Sequence, residues 1–486
     1  MSSPIRLAGL SSGLDTEALV SALTSNYKTK VQKYEKAKTK SEWKTDKWKN
    51  LNTKVYSLYT KASSMRFSSA YSAMKATSSD TTKAKVSATS GAPVGSHSLR
   101  VDSLAKAGSV TGAQISAKAN STLADLGFTG GSTTIDVNGT SITVDSSTTM
   151  SSLASKLSSA GVQANYDENN GRMYINSKTS GVNSSIKLSA SDDAGNELLS
   201  KLGLTKKSGA TFIDGQDSKI TLDGVDYTGT SNSFSVNGLT IEALGVTSSD
   251  LSVTTATDTQ ALYDTVKNFL SEYNDVINEL ATAYYADSAK GYEPLTDDEK
   301  ATMSDKQVEE WEDKIKTSLL RSDSTLGGII DTMTSAMSSN YSINGKNYSL
   351  SSFGIGTLGV LGAGKKEQYA LHINGDADDS ATSGAKDKLM TALTTDPDTV
   401  LDFMKELSSK LYNNLDGKMK MTSLRSAYTI YNDKQMTKEQ SDYTALIKEW
   451  NSRLTDAEDA YYKKFASMES TLSKLNSNSS SLSGMF

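Results

Sequence analysis

The chain has 486 residues, a net charge of −5, no cysteine, two histidines, and 36% apolar residues. Near-balanced charge leaves no electrostatic footprint for nucleic acid or an anionic membrane. No apolar run approaches the ~20 residues that span a bilayer, and without cysteine there is no disulfide, thiolate nucleophile or cysteine metal site.

The N-terminal stretch lacks a basic segment followed by an apolar one, so Sec-type secretion is not expected. From Gly9 to Leu23 it reads GLSSGLDTEALVSAL. Asp15 stands where a helix N-cap belongs, and Glu17 adds negative charge at the positive helix end. Leu14 and Leu19 have hydrophobic-staple spacing. One seam then steps by four and three: Thr16, Val20, Leu23, Tyr27, Lys30, Tyr34, Ala37, Ser41, Lys44, Trp48, Leu51, Val55, Leu58, Ala62 and Met65. That is the coiled-coil repeat, with occupants that turn polar between Lys30 and Lys44.

After Met65, serine, threonine and alanine dominate to about residue 88, as in a surface linker or an edge strand. Extended stretches follow at 83–88 and 97–104. Residues 116–212 read as a separate hairpin–helix–hairpin unit, its helix laid on a small antiparallel sheet. Ile135 and Val137 face Ile142 and Val144 across Asn138 and Gly139, the strongest short-range hairpin signal. Met150, Leu153 and Leu157 mark the helix, and Gly161 ends it. Strands resume at 219–227 around Asp223 and Gly224, at 234–244 around Asn237 and Gly238, and at 251–255. They match 83–104 in character, which predicts one β-domain in two segments with the 116–212 unit inserted.

Helix returns at Thr259, with Leu262, Val266, Phe269, Tyr273, Val276, Leu280 and Tyr284 on one face. Ser304 and Gln307 form a capping box, and Asp323 caps another short helix. A hairpin is expected over Asn344 and Gly345, a strand at 369–373, and a helix from about 385 to Leu424. The last seam runs Tyr443, Ile447, Trp450, Leu454, Ala457, Tyr461, Phe465, Met468, Leu472, Leu475, Ser479, Leu482 and Phe486. None of the four prolines interrupts either terminal seam. The simplest packing sets the two arms antiparallel, with surplus apolar surface buried between subunits.

No catalytic site, cofactor or metal is expected. Gly354, Gly356 and Gly359 match a dinucleotide fingerprint without its strand–helix context, and Gly364 with Lys365 lacks the serine or threonine of a P-loop. Both read as a glycine-rich loop. Asp376, Asp378 and Asp379 read as a solvated turn rather than a calcium loop. The lysines between Lys28 and Lys49 are interleaved with Glu35, Glu42 and Asp46, as on a solvated helix face. His97 and His372 read as ordinary strand positions.

GLSSGLDTEALV, HSLRVDSLAKA, the 116–212 unit, WEDKIKTSLLRSDSTL, LSSFGIGT, LHINGD and TDPDTVLDF resemble, in order, the segments of the bacterial flagellar filament cap family, hook-associated protein 2. The resemblance implies an α+β, multidomain and elongated fold, with long terminal α-helical coiled-coil arms and two nested antiparallel β-rich head domains. The expected division is a helical leg at 1–42 and 430–486, and a helical domain with small hairpins at 43–76 and 258–429. A discontinuous β-domain takes 77–115 and 213–257, with an inserted IN-type domain at 116–212.

The resemblance also implies a structural, non-enzymatic protein. It would be exported unfolded by the flagellar type III route and act outside the cell at the filament tip. Its expected partners are further copies of itself, usually five, flagellin, and an export chaperone before secretion. Nucleic-acid binding and membrane insertion are not expected. The residues assigned to oligomer or flagellin contact are Leu14, Asp15, Leu19, Val20, Leu23, Leu472, Leu475, Leu482 and Phe486. The alternatives are a hook–filament junction protein, which the opening motif and LLRSDSTL argue against, and a surface adhesin that binds host mucin or glycan through the β-domains.

Overall fold

A computed structural model describes residues Ser12 to Ser483, with side chains up to Ser480. Gly9, Leu10, Ser11 and Phe486 lie outside the described residues, as does the side chain of Leu482. The chain divides into two compact units: residues up to Tyr71 together with those from Thr259 onward, and Ser72–Asp258.

The first unit begins with helix α1, Thr16–Met65, 50 residues long. Its start follows from the cap: the Ala18 N–H donates to Asp15 Oδ1 at 2.9 Å. No proline interrupts it, so every interior N–H can find its carbonyl. Its buried residues are Thr16, Val20, Thr24, Val31, Ser41, Trp48, Leu51, Val55, Leu58, Tyr59, Ala62 and Met65. The expected seam is corrected at two places. Leu23 and Lys30 are exposed, and their neighbours Thr24 and Val31 are the buried ones. The inward face of a straight helix drifts against a strict four–three repeat, which moves the buried position by one residue.

The second unit is built on two cores. Strands β1 Met74–Ser78, β2 Ala84–Ala88 and β3 Gly95–Ser103 enter the first. The chain then builds the second core from β4 Ser109–Thr111, β5 Ser132–Val137, β6 Thr140–Asp145, α2 Met150–Ser159, β7 Val162–Asp167, β8 Arg172–Ser177, β9 Leu188–Ala190, α3 Asp193–Lys201 and β10 Thr211–Ile213. It returns with β11 Ser218–Leu222, β12 Val225–Gly229, β13 Ser233–Val236, β14 Leu239–Ala243 and β15 Leu251–Thr257. The first core lies between the sheets β1-β15-β3-β11-β12 and β13-β14-β2. Leu99, Val101, Ile220, Phe234, Ile241 and Val253 fill it. Strand β1 sits at a sheet edge, paired Ala76↔Thr255.

The second core has two sheets rather than the single one expected, β6-β5-β9 and β10-β4-β8-β7. Leu123, Ile135, Leu153, Leu157, Ile175 and Leu198 lie buried among them. The Asn138–Gly139 turn carries φ of 49° and 86°, as a two-residue hairpin turn between right-twisted strands requires.

The first unit resumes with α4 Thr259–Tyr284, α5 Asp297–Lys300, α6 Asp305–Ser318 and α7 Ser324–Met337. Small strands β16 Tyr341–Ile343 and β17 Lys346–Tyr348 form a hairpin, and β18 Ile355–Gly356 pairs with β19 His372–Ile373. Between the latter two runs α8, Gly359–Glu367, where a loop was expected. Gly364 interrupts it at φ 75°, ψ 174°, a conformation that glycine alone adopts freely.

The helix expected from about 385 to Leu424 is two helices, α9 Lys388–Thr395 and α10 Pro397–Met419. Pro397 occupies the first helical position, and Asp396 caps it through the Thr399 N–H. Proline is pre-organised there but would clash within a continuous helix. The last helix is α11, Asp433–Ser483.

Candidate interaction surface

The terminal helices run antiparallel, and their contacts fix the register. Near the α1 start, Ser12 N and Oγ both donate to the Glu469 carboxylate, the backbone bond at 3.3 Å. Further along, the rings of Tyr27 and Trp450 lie 6.3 Å apart, with Lys30 Nζ 6.0 Å above the Trp450 ring. Gln440 Nε2 donates to Thr45 Oγ1 at 2.8 Å. At the inner end Trp48 stacks on Tyr431, centroids 5.6 Å apart and planes 7° from parallel. Asn52 then pins the connection between α10 and α11. Its Nδ2 donates to the Tyr428 carbonyl at 3.2 Å, and its Oδ1 accepts the Ile430 N–H at 2.8 Å.

The pair is thin. Among the described residues of α11 none is fully buried: Ile447, Trp450, Leu454, Phe465 and Leu472 are all half-exposed. Polar ties support the outer half of α1. Lys28 pairs with Asp298 at 3.0 Å, Lys36 with Glu299 at 2.8 Å, and Lys44 with the α7 cap Asp323 at 3.0 Å. The Lys36 bond and the Thr296 N–H hold the Glu299 carboxyl below its ordinary value.

A cavity of about 430 Å³ opens where the arms meet the N-terminus of α7, lined by Ser41, Lys44, Trp48, Asp323, Gln435 and Tyr443. The Ser41 hydroxyl is buried beside it with no hydrogen-bond partner.

The residues assigned from sequence divide by exposure. Leu14 (45% exposed), Leu19 (38%), Leu23 (47%) and Leu475 (59%) present apolar surface, and Leu472 is half-buried. Asp15 is an exposed cap. Val20, at 1% exposure, is already used inside the chain. Sequence reasoning missed Thr24, Val31, Asn52 and Tyr431. A run of steps of four from Thr16 through Val20 to Thr24 would have found the first. Asn52 gives no sequence signal, because its role depends on a loop almost 380 residues away.

Other sequence features are tied up structurally. Lys267 Nζ bridges Asp376 (2.7 Å) and Asp378 (2.6 Å), and their hydrogen bonds hold the ammonium above its ordinary value. His372 Nδ1 lies 2.6 Å from Asp379 Oδ2, and His97 Nδ1 lies 2.7 Å from Asp223 Oδ2. These links staple loops to strands and helices.

Residues 215–477 match the family described as "Flagellar hook-associated protein 2 C-terminus", and 12–108 the corresponding N-terminus. The chain is 24% identical over 535 residues to a flagellar hook-associated protein 2 from Halalkalibacterium halodurans, covering 99% of this chain and all of that one. A Thermotoga maritima protein of the same description is 27% identical over 365 residues, covering 72% of this chain and 54% of that one. Among solved structures, the D1-D2-D3 domains of the Escherichia coli flagellar cap protein FliD share the fold. The TM-score is 0.50 at 20% identity, over 82% of this chain and 99% of that one.

Proposed function

The chain belongs to the flagellar hook-associated protein 2 family, and from this premise we propose that it is a structural capping protein at the distal tip of the bacterial flagellar filament. Several copies form the cap, which retains exported flagellin and promotes its folding and insertion as the filament grows. It performs no catalysis. Export proceeds unfolded by the flagellar type III route, with a chaperone before secretion. The paired terminal arms act as the leg, and the β-rich unit supplies the head.

The observation that supports this reading is the outer half of the α1–α11 pair. It leaves Leu14, Leu19, Leu23 and Leu475 open while polar residues separate it from the packed half. Leu14, Asp15, Leu19, Leu23, Leu472, Leu475, Leu482 and Phe486 belong to exchangeable contacts with flagellin helices and neighbouring copies, and Val20 holds the arm that presents them. The polar stretch keeps those contacts weak enough to move as the cap advances.

A deletion strain tests the assignment. It should be non-motile, with hooks intact and unassembled flagellin in the medium; normal filaments would overturn it. The polar stretch is tested by Lys30→Leu, Ser41→Leu and Lys44→Leu together. Slowed or arrested filament growth is expected, and unchanged growth would show that the polar stretch has no such role.

A further inference from the structure

A tyrosine platform lies at the inner end of the arms. The Tyr59 and Tyr412 rings stack at 4.7 Å, Tyr56 lies 5.8 Å from Tyr59, and Tyr428 meets Tyr56 edge-on at 5.8 Å. The Arg66 guanidinium sits 3.7 Å above the Tyr412 ring. Such a surface could simply be core reaching the edge, but its outer members are well exposed. Tyr428 is 55% exposed and Tyr56 42%. Tyr428 also holds φ at 60°, in the left-handed region that bulky side chains rarely adopt. The two Asn52 bonds keep it there and its ring outward.

Three cations edge the platform beside one carboxylate, Asp416, which accepts from the Tyr59 hydroxyl at 3.3 Å, and the cations donate to neutral oxygens. Arg66 bonds the Ser63 carbonyl and hydroxyl, Arg425 the Lys420 carbonyl, and Lys434 the Thr422 carbonyl. Exposed aromatic rings with arginine are the composition of interface centres rather than of ordinary surface.

The same chain carries the complement elsewhere. On α6, Asp305, Glu309 and Asp313 are exposed at four-residue spacing. Like charges so placed weaken an isolated helix. Of the lysines beside them, Lys306 lies 3.9 Å from Glu310 and Lys314 donates to the Tyr292 hydroxyl at 3.1 Å, while Lys300 and Lys316 both hold Glu312 on the inner side, at 2.8 and 3.1 Å. Helix α6 lies beside α1 near Trp43, whose ring is 4.7 Å from Lys316 Nζ. The platform begins at Tyr56, about 20 Å further along the rigid α1 at 1.5 Å per residue. The two surfaces therefore cannot meet within one copy.

We propose that the tyrosine platform docks the acidic face of α6 of a second copy, which makes the contact heterologous and lets successive copies close into a ring. This rests on the oligomeric reading above and names the surface it uses. The test is the assembly state of the full chain by sedimentation velocity. Arg66→Glu with Arg425→Glu should weaken association at least tenfold, as should Glu309→Lys with Asp313→Lys, and mixing the two charge-reversed chains should restore contact between unlike chains, in dimers and other even-numbered assemblies. Tyr428→Gly, which removes the ring and relieves the backbone, should weaken association about as much without lowering thermal stability. If the parent chain assembles and both reversals assemble equally well, or the mixture does not recover, this surface is wrong and the oligomeric reading stands. A parent chain that stays monomeric at all concentrations would overturn both.

Discussion

Helix α1 is continuous, yet its two halves are held by different forces. From Trp48 to Met65 the buried face carries Trp48, Leu51, Val55, Leu58, Tyr59, Ala62 and Met65, packed with α4 and α10. From Thr16 to Lys47 it carries only Thr16, Val20, Thr24, Val31 and Ser41, and the facing helix α11 contributes no fully buried residue. A fully buried aliphatic or aromatic side chain contributes roughly 1.5–3 kcal/mol, so the inner half has several such contributions where the outer has two. Unbroken hydrogen bonding along a helix therefore says little about where it is firmly anchored. The outer half relies on helix propensity, a good cap and surface ion pairs, each a fraction of a kcal/mol to about 1 kcal/mol.

Three experiments test this contrast. The largest effect is expected from Leu58→Ala, which removes a side chain with no exposed surface. It should lower the stability of the first unit by about 2–5 kcal/mol in denaturant titration. Val20→Ala should cost about 1.5 kcal/mol, and locally. Hydrogen exchange should speed up across the first turns of α1 while the main unfolding transition stays in place. Equal shifts of that transition by both substitutions would mean the halves unfold as one. The smallest effect is acid. Glu299 titrates below its ordinary 4.5 when folded, so the Lys36 pair stabilises above that pH and is lost as the pH falls through the folded value. Side-chain exposure of 46% limits the effect to less than about 1 kcal/mol. Amides of α5 should lose protection as the pH falls through that folded value, or in high salt, before those around Leu58 do.

The α+β class, the terminal helices and the hairpins were legible in the chain because each has a strong local signature. Asn138–Gly139, Asp223–Gly224, Asn237–Gly238 and Asn344–Gly345 all turn with positive φ at both residues, and each joins two antiparallel strands. Asp15, Ser304 and Asp323 cap the helices they were expected to cap. What stayed hidden lacks local phase. Strands β4, β9 and β10 are three residues each, too short to show alternation. Strand β1 is defined by β15, a partner almost 180 residues away. The slip from Leu23 to Thr24 was hidden because the exposed residue is the apolar one and the buried residue the polar one. At Pro397 the apolar spacing on either side concealed a break that the proline itself announces. The exposed leucines of the arm were found as apolar residues, but only the fold separates them from Val20, which the chain keeps for itself.

The antiparallel register gives the arms the mechanics of a tuning fork. The prongs are joined where Trp48 stacks on Tyr431, and their tips meet where Ser12 reaches Glu469. From Thr16 to Trp48 a prong is about 50 Å long at 1.5 Å per residue. Opening the joint by about 5° would part the tips by about 4 Å over that length, enough to break a hydrogen bond there while barely disturbing the stacked rings. Small changes at the joint are thus magnified at the tip, where the contact joins groups 457 residues apart in sequence.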